Sequence, residues 1–288
     1  DIYEAKTLPS GLNVHGVAPY KISNEEVLKE IDYLQNQLGF NIKYKSEITS
    51  KEQIKQLEQN YDAIFLGVGL GKTKDLKIEG EDKDGIIGAV EFIEALREKQ
   101  HKMKVPQKVV VLGGGNTAMD AASESARMGA KKVVLAYRNS KEKMGAYGFE
   151  YDLAISAGVD SLFHVTPLAI VGNGKVEGVK FAKTELVDGK LKTNMNNTFT
   201  VRCDLVIKAI GQTKQGYLYA LIDDLKIDNR TVIAVSETFQ TSNPKYFAGG
   251  DAINGGAEVV NAAYDGKMAA QGIHQWLNKQ LKRAVNLN

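Results

Sequence analysis

The residues best able to do chemistry in this 288-residue chain are glycines, an arginine and two acids, rather than nucleophiles or metal ligands. Val109-Val110-Val111-Leu112-Gly113-Gly114-Gly115-Asn116-Thr117-Ala118 fits G-x-G-x-x-A, after an apolar strand and before a helix. In that pattern Gly113 allows the tight turn. Gly115 lets backbone N–H groups approach a pyrophosphate, and Ala118 allows close helix–strand packing. Asn116 and Thr117 open the helix, whose N-terminus faces the anion. A glycine turn without a ligand would look the same locally, but the strand–helix–strand context favours the nucleotide. The following strand ends in Tyr137-Arg138-Asn139-Ser140. An acid there would hydrogen-bond the ribose 2′-hydroxyl of NAD. Arg138 can instead pair with a 2′-phosphate, and Lys141 and Lys143 lie nearby. Read this way, rather than as a solvated loop arginine, it points to NADPH over NADH.

Two acids stand at strand ends. Glu4 closes Asp1-Ile2-Tyr3-Glu4, where an acid in a dinucleotide-binding unit holds the adenosine ribose. Asp251 closes the turn Gly249-Gly250-Asp251. With the amides of a helix start near Val259 and Val260, it could hold a ribityl chain and the flavin N1–C2=O edge. The helix dipole there would stabilise negative charge developing on reduction. Cys203 is the sole cysteine, which excludes an internal disulfide, a CxxC pair or a Cys-ligated cluster within the chain. His15, His101, His164 and His274 show no metal-ligand spacing.

The elements that must carry these residues follow from periodicity. Ser23 to Glu26 has capping-box spacing, and Val27, Ile31, Leu34 and Leu38 recur at helical period up to Gly39. Ile42 and Tyr44 predict a short strand, Tyr61 to Gly69 a buried strand entering a glycine turn, and Phe92, Ile93 and Leu96 a helix. The polar stretch Lys99 to Lys104 reads as a linker. Lys108–Leu112, Thr117–Met128 and Lys132–Tyr137 form one strand–helix–strand unit. Tyr147–Ala157 reads as helix and Leu162–Val165 as strand. Asn173-Gly174 and Asp188-Gly189 then mark hairpins, so a β-meander stands where a plain doubly wound domain would have another helix. Asp204–Ile210 is a strand ending at Gly211, and a last helix runs from about Val259 to Leu277.

The order of these pieces resembles the pyridine-nucleotide disulfide reductase class of flavoproteins. Within it the chain is similar to the glutamate synthase small subunit and to the FAD/NADPH half of dihydropyrimidine dehydrogenase. The stretches that carry this are Ile2 to Ala5, Gly11 to Lys21, Gly113 to Asp120, Ala136 to Arg138, Ala209 to Gln212, Gln240 to Ala252 and Asp265 to Lys267. The resemblance implies that Glu4 binds FAD ribose, that Gly11 and Leu12 lie near the flavin, and that Asp251 binds the ribityl chain. Gly67-Val68-Gly69 stands where the family has Ala-Thr-Gly, and Ser10-Gly11 where it has two glycines. The family's first FAD strand and glycine loop would precede Asp1, so the FAD site is expected to be incomplete in this chain.

The expected fold is α/β with two Rossmann-like domains: a split FAD domain at 1–105 and 212–288, and an inserted NAD(P) domain with its meander at 106–211. The candidate cofactor-binding residues are Glu4, Gly11, Leu12, Gly67, Gly69, Gly113, Gly115, Asn116, Thr117, Arg138, Gly211, Gly250, Asp251, Val259 and Val260. No catalytic side chain and no metal ligand is assigned. The cofactors implied are FAD and NADP (or NAD), with hydride transfer to flavin followed by electron transfer to iron–sulfur clusters on another region or partner subunit, and then to a catalytic acceptor subunit. The alternatives are a thioredoxin-reductase-like enzyme, which would need a redox cysteine pair, and a non-catalytic nucleotide-binding electron-transfer module. A net charge of +2 without a basic stripe argues against nucleic acid, and no apolar run reaches the roughly 20 residues of a membrane span. The composition suits a reducing cytoplasm.

Overall fold

Val109, Val111, Val133, Leu135, Leu205 and Ile207 are buried in one apolar cluster, and their neighbours Val110, Leu112, Val134, Ala136 and Val206 in another. Strands whose alternate residues are both buried belong to a parallel sheet covered on both faces. A computed structural model of the chain describes residues 1–99 and 102–285. It contains, in order, β1 (Ile2–Tyr3), α1 (Leu12–His15), α2 (Asn24–Leu38), β2 (Ile42–Lys43), α3 (Lys51–Asn60), β3 (Ile64–Leu66), β4 (Ile86–Gly88) and α4 (Ala89–Lys99). There follow β5 (Lys108–Leu112), α5 (Asn116–Arg127), β6 (Lys132–Tyr137), α6 (Gly148–Ser156), β7 (Val159–Phe163), β8 (Val165–Val171), β9 (Gly178–Val187) and β10 (Lys190–Arg202). The chain continues through β11 (Leu205–Lys208), α7 (Gly216–Tyr219), β12 (Tyr246–Ala248), α8 (Asp251–Asn254) and α9 (Val259–Val285).

The chain divides into two compact units. One holds Asp1–Pro9, Gln35–Gly71 and the chain from Thr213; the other holds Ser10–Leu34 and Lys72–Gln212. In the second unit β4, β11, β5, β6 and β7 make a five-stranded sheet in that order, with every pairing parallel. One face packs on α4, α5 and α6 through Phe92, Ile93, Ala118, Met119, Ala122 and Ala154. The other face packs on an antiparallel sheet, β8-β9-β10, through Val165, Ile170, Val179 and Phe181. The expected meander is this second layer. Asp188 (φ 52) and Gly189 (φ 73) turn its long hairpin, both in the left-handed region that an Asp-Gly hairpin needs.

In the first unit β1 pairs with β2 and β3 with β12, both in parallel. Its core includes Ile54, Leu66, Leu218, Ile222, Ile233, Tyr246 and Ala252. The strand expected to be buried at Tyr61 to Gly69 is only partly so. Leu66 is covered, whereas Phe65 is 41% exposed.

The unit boundaries differ from the expected 1–105, 106–211 and 212–288. The expected insert lies within the second unit, which also takes in Ser10–Leu34 and the segment from Lys72. The physical reason is β4, which pairs with β11 at the sheet edge, and α4, whose Phe92 and Ile93 are fully buried against the same sheet.

Candidate functional site

The phosphate loop of the second unit is built at the carboxyl end of β5. Gly113 has φ 150, and a Cβ there would collide with the Ala209 carbonyl, so only glycine lets this turn pass the end of β11. Gly114 lies under Tyr137, because a Cβ would stand 2.6 Å from that ring. Gly115 is the N-cap of α5 and offers no side-chain cap, while a Cβ there would meet nothing within 4 Å. The helix therefore begins at a residue that supplies no side-chain cap and has open space beside its Cα, an arrangement that suits an anion at the helix start. Asn116 turns its Oδ1 to accept the Tyr147 amide at 2.9 Å, and the Ala146 amide donates to Gly114 O at 3.0 Å. These bonds tie the loop to the start of α6. Thr117 follows in the first turn of α5, and is exposed.

Arg138 comes directly after β6, the strand beside β5. Gly211 (φ 93) follows β11, the strand on the other side of β5. The loop Gly113–Thr117, Arg138 and Gly211 thus share the carboxyl edge of one parallel sheet, the place where such sheets bind ligands. The Tyr137 hydroxyl donates to the Lys143 carbonyl at 2.7 Å, folding the Lys141–Lys143 turn back towards the strand end. The ammonium of Lys141 lies 4.2 Å from the Tyr151 ring centroid.

Behind the phosphate loop is a charged cluster with no role assigned from sequence. Lys21 Nζ stands 2.7 Å from Asp120 Oδ1 on α5 and 2.7 Å from Glu150 Oε1 on α6. The Tyr20 hydroxyl donates to Asp120 at 2.9 Å. Burial holds Asp120 above the usual carboxylate range even with Lys21 beside it. Burial also works against the Lys21 ammonium, but its bonds to Asp120 and Glu150 outweigh that and raise its pKa. One cation thereby joins the two helices that carry the loop. The available signal was Asp120 itself, a charge among Ala118, Met119, Ala121 and Ala122 on a buried helix face.

Gly11 (φ 51) and Leu12 start α1, also in the second unit, and Ser10 before them has φ 75. Ser10 holds the left-handed conformation for which the family uses glycine, at about 1–2 kcal/mol for an L-residue. Among the described residues, His15 Nδ1 pairs with Glu94 at 3.4 Å, and Glu98 completes a group whose ligand-type atoms lie within 4.8 Å of one another. His101 lies outside the described residues.

In the first unit Glu4 follows β1 and accepts the Lys6 amide at 2.8 Å. Gly67 and Gly69 follow β3, and Gly250 and Asp251 follow its partner β12. The Phe65 ring lies over Gly67 and Gly249, within 3.0 and 3.1 Å of where their Cβ atoms would be. A Cβ at position 67 would therefore press on that ring. Gly250 (φ 66, ψ −151) has a backbone that favours glycine, and its amide donates to Asp265 Oδ2 at 2.9 Å. Asp251 accepts the Ala257 amide on Oδ1 at 3.0 Å, which bends the loop leading to α9. Val259 and Val260 open α9 with half or more of their surface exposed. Apolar residues exposed at a helix start beside a glycine turn suit a flat, partly apolar ligand.

The family described as pyridine nucleotide-disulphide oxidoreductase matches residues 3–266. The glutamate synthase [NADPH] small chain of Escherichia coli (strain K12) is 35% identical over 93% of this chain and 61% of its own length. The NAD-dependent dihydropyrimidine dehydrogenase subunit PreT of the same organism is 29% identical over 96% and 62%. The chain thus spans less than two thirds of each relative. Mycobacterium tuberculosis FprA in complex with NADPH has the same fold, with a TM-score of 0.77 at 20% identity over 98% of this chain and 78% of that one.

Proposed function

The chain belongs to the pyridine nucleotide-disulphide oxidoreductase family, and on that premise we propose that it takes NADPH on its second unit and FAD on its first. It passes the electrons on through iron–sulfur clusters of another region or subunit, as an electron-input module in the cytoplasm. The observation that carries the reading is the glycine start of α5 at Gly115, open at its Cβ position, with Arg138 at the end of the neighbouring strand. The cofactors, when bound, supply hydride transfer from nicotinamide C4 to flavin N5 and release of single electrons. What the chain supplies is placement. Gly113 and Gly115 bring backbone amides to the pyrophosphate, Arg138 meets the 2′-phosphate, and Gly211 keeps the sheet edge clear. In the first unit the reading gives Glu4 and Asp251 the ribose and ribityl hydroxyls, and Gly67, Gly69 and Gly250 the close approach of backbone. Gly11 and Leu12 are assigned to the flavin by the family resemblance. The likeness to the glutamate synthase small chain and to PreT supports a catalytic acceptor on a separate subunit.

The test is oxidation of NADPH and of NADH by the full-length protein with FAD added, using a one-electron dye as acceptor. Turnover with a preference for NADPH is expected. Nucleotide binding without turnover would overturn the reading in favour of a sensor or a passive module. The thioredoxin-reductase-like alternative would need a redox cysteine pair, and these 288 residues hold a single cysteine, Cys203.

A further inference from the structure

The antiparallel layer β8-β9-β10 does more than cover the sheet. Thr184, in β9, is 4% exposed, and its Oγ1 donates to the carbonyl of Arg138 at 2.6 Å. Its amide donates to the His164 carbonyl at 2.9 Å, and the His164 amide donates to the Asn139 carbonyl at 3.2 Å. His164 stands between β7 and β8 with φ 57, a conformation unusual outside glycine. Two of the bonds fasten consecutive carbonyls, that of Arg138 to β9 and that of Asn139 to the β7–β8 corner, and the third ties β9 to that corner. Thr184 contributes the one side-chain bond of the three.

We infer that Thr184 is a positioning residue that sets the choice between NADPH and NADH, by fixing the peptide that carries Arg138. The inference rests on Arg138 as the 2′-phosphate ligand. A charge-assisted pair needs its guanidinium held in a narrow geometry. Freeing the Arg138 carbonyl lets the strand end move and spreads the side chain over positions that miss the phosphate. NADH has no phosphate at that position, so its binding does not depend on where Arg138 points.

The test is calorimetric titration of NADPH and NADH into the purified protein, which needs no turnover. Thr184→Val keeps the β-branched shape and removes the donor. Loss of one hydrogen bond's ordering effect predicts an NADPH Kd raised about three- to tenfold. The NADH Kd should stay within about twofold, and Thr184→Ser should restore the wild-type ratio. In an Arg138→Ala background, Thr184→Val should have no further effect on NADPH. If Thr184→Val does not fold, Thr184→Cys, of similar size and with only a weak donor, takes its place. Equal weakening of both nucleotides would make Thr184 merely structural and overturn the inference. So would an unchanged ratio in Thr184→Val while Arg138→Ala lowers it. If Arg138→Ala also leaves the ratio unchanged, the failure lies in the reading of Arg138, and the inference falls with it.

Discussion

Replacing Lys21 with methionine removes a charge while keeping the length of the apolar stem. In the wild type its ammonium stands 2.7 Å from both Asp120 and Glu150, whose side chains are 9% and 8% exposed. Removing one partner of a buried ion pair costs about 3–5 kcal/mol, because the remaining charge is left in a poor solvent. Lys21 is itself 25% exposed, so water can enter its place, and the lower end, about 3 kcal/mol, is expected. The pH dependence carries more information. Asp120 is already raised by burial, and loss of Lys21 removes the strongest effect opposing that rise. A carboxyl whose folded pKa is raised stabilises the fold below its unfolded pKa, and that contribution is lost as pH rises through the folded pKa. The deficit of Lys21→Met should therefore be larger at high pH and shrink on acidification. The limit is about 1.4 kcal/mol per pH unit over the range in which that one carboxyl titrates. Urea titrations followed by far-ultraviolet circular dichroism across a pH series that includes pH 8 measure it. A deficit under about 1 kcal/mol at pH 8, or one that does not change with pH, would refute the role given to the cluster.

Arg138→Ala should weaken NADPH binding about tenfold or more, the value of one charge-assisted phosphate contact, and leave NADH within about twofold. Equal losses in the two titrations would show that Arg138 is structural. Cys203→Ser should leave NADPH-dependent dye reduction within about twofold, because hydride transfer between cofactors needs no thiol; a drop of orders of magnitude in a folded variant would contradict this. Burial, with a smaller contribution from Asp204, pushes the Cys203 thiol up from 9.0 to about 12. The unfolded chain therefore loses this proton first, and stability falls as pH rises above 9. Between pH 8 and pH 10 the wild type should lose about 1.4 kcal/mol more than Cys203→Ala. Parallel losses in the two proteins would mean that the thiol is not held neutral.

Much of this was legible in sequence because single-strand signals suffice for it. The runs at Lys108–Leu112 and Lys132–Tyr137 are observed as the strands expected. The capping box at Ser23 and Glu26 forms with both of its bonds, and Asp188-Gly189 makes its turn. What the sequence did not disclose are features that depend on residues far apart in the chain. Ile86–Gly88 is too short to show a period, yet its pairing with β11 draws the segment from Lys72 into the second unit. Thr184 lies in an alternating strand, and nothing local marks it as the partner of Arg138. Lys21 sat within a motif recognised by resemblance, but its partners are contributed by α5 and α6.

These long-range contacts bear on one place. The Lys21 cluster lies on the helix side of the five-stranded sheet and joins α5, which begins at the phosphate loop, to α6, whose start is tied to that loop through Asn116. The Thr184 bond comes from the sheet packed on the opposite face and holds Arg138, the next binding residue along the same edge. A nucleotide spanning the pyrophosphate and 2′-phosphate positions needs both held at a fixed separation. Neither end can be fixed by the glycine loop alone, since glycine lowers the cost of a conformation without enforcing it. The two anchors should then be separable: Lys21→Met acting on stability and on both nucleotides alike, Thr184→Val on the NADPH-to-NADH ratio alone. A double variant should show the sum of the two effects, because no residue is shared between the anchors and distant sites without shared partners add within about 0.5 kcal/mol. A larger interaction energy would mean that the sheet transmits strain from one face to the other.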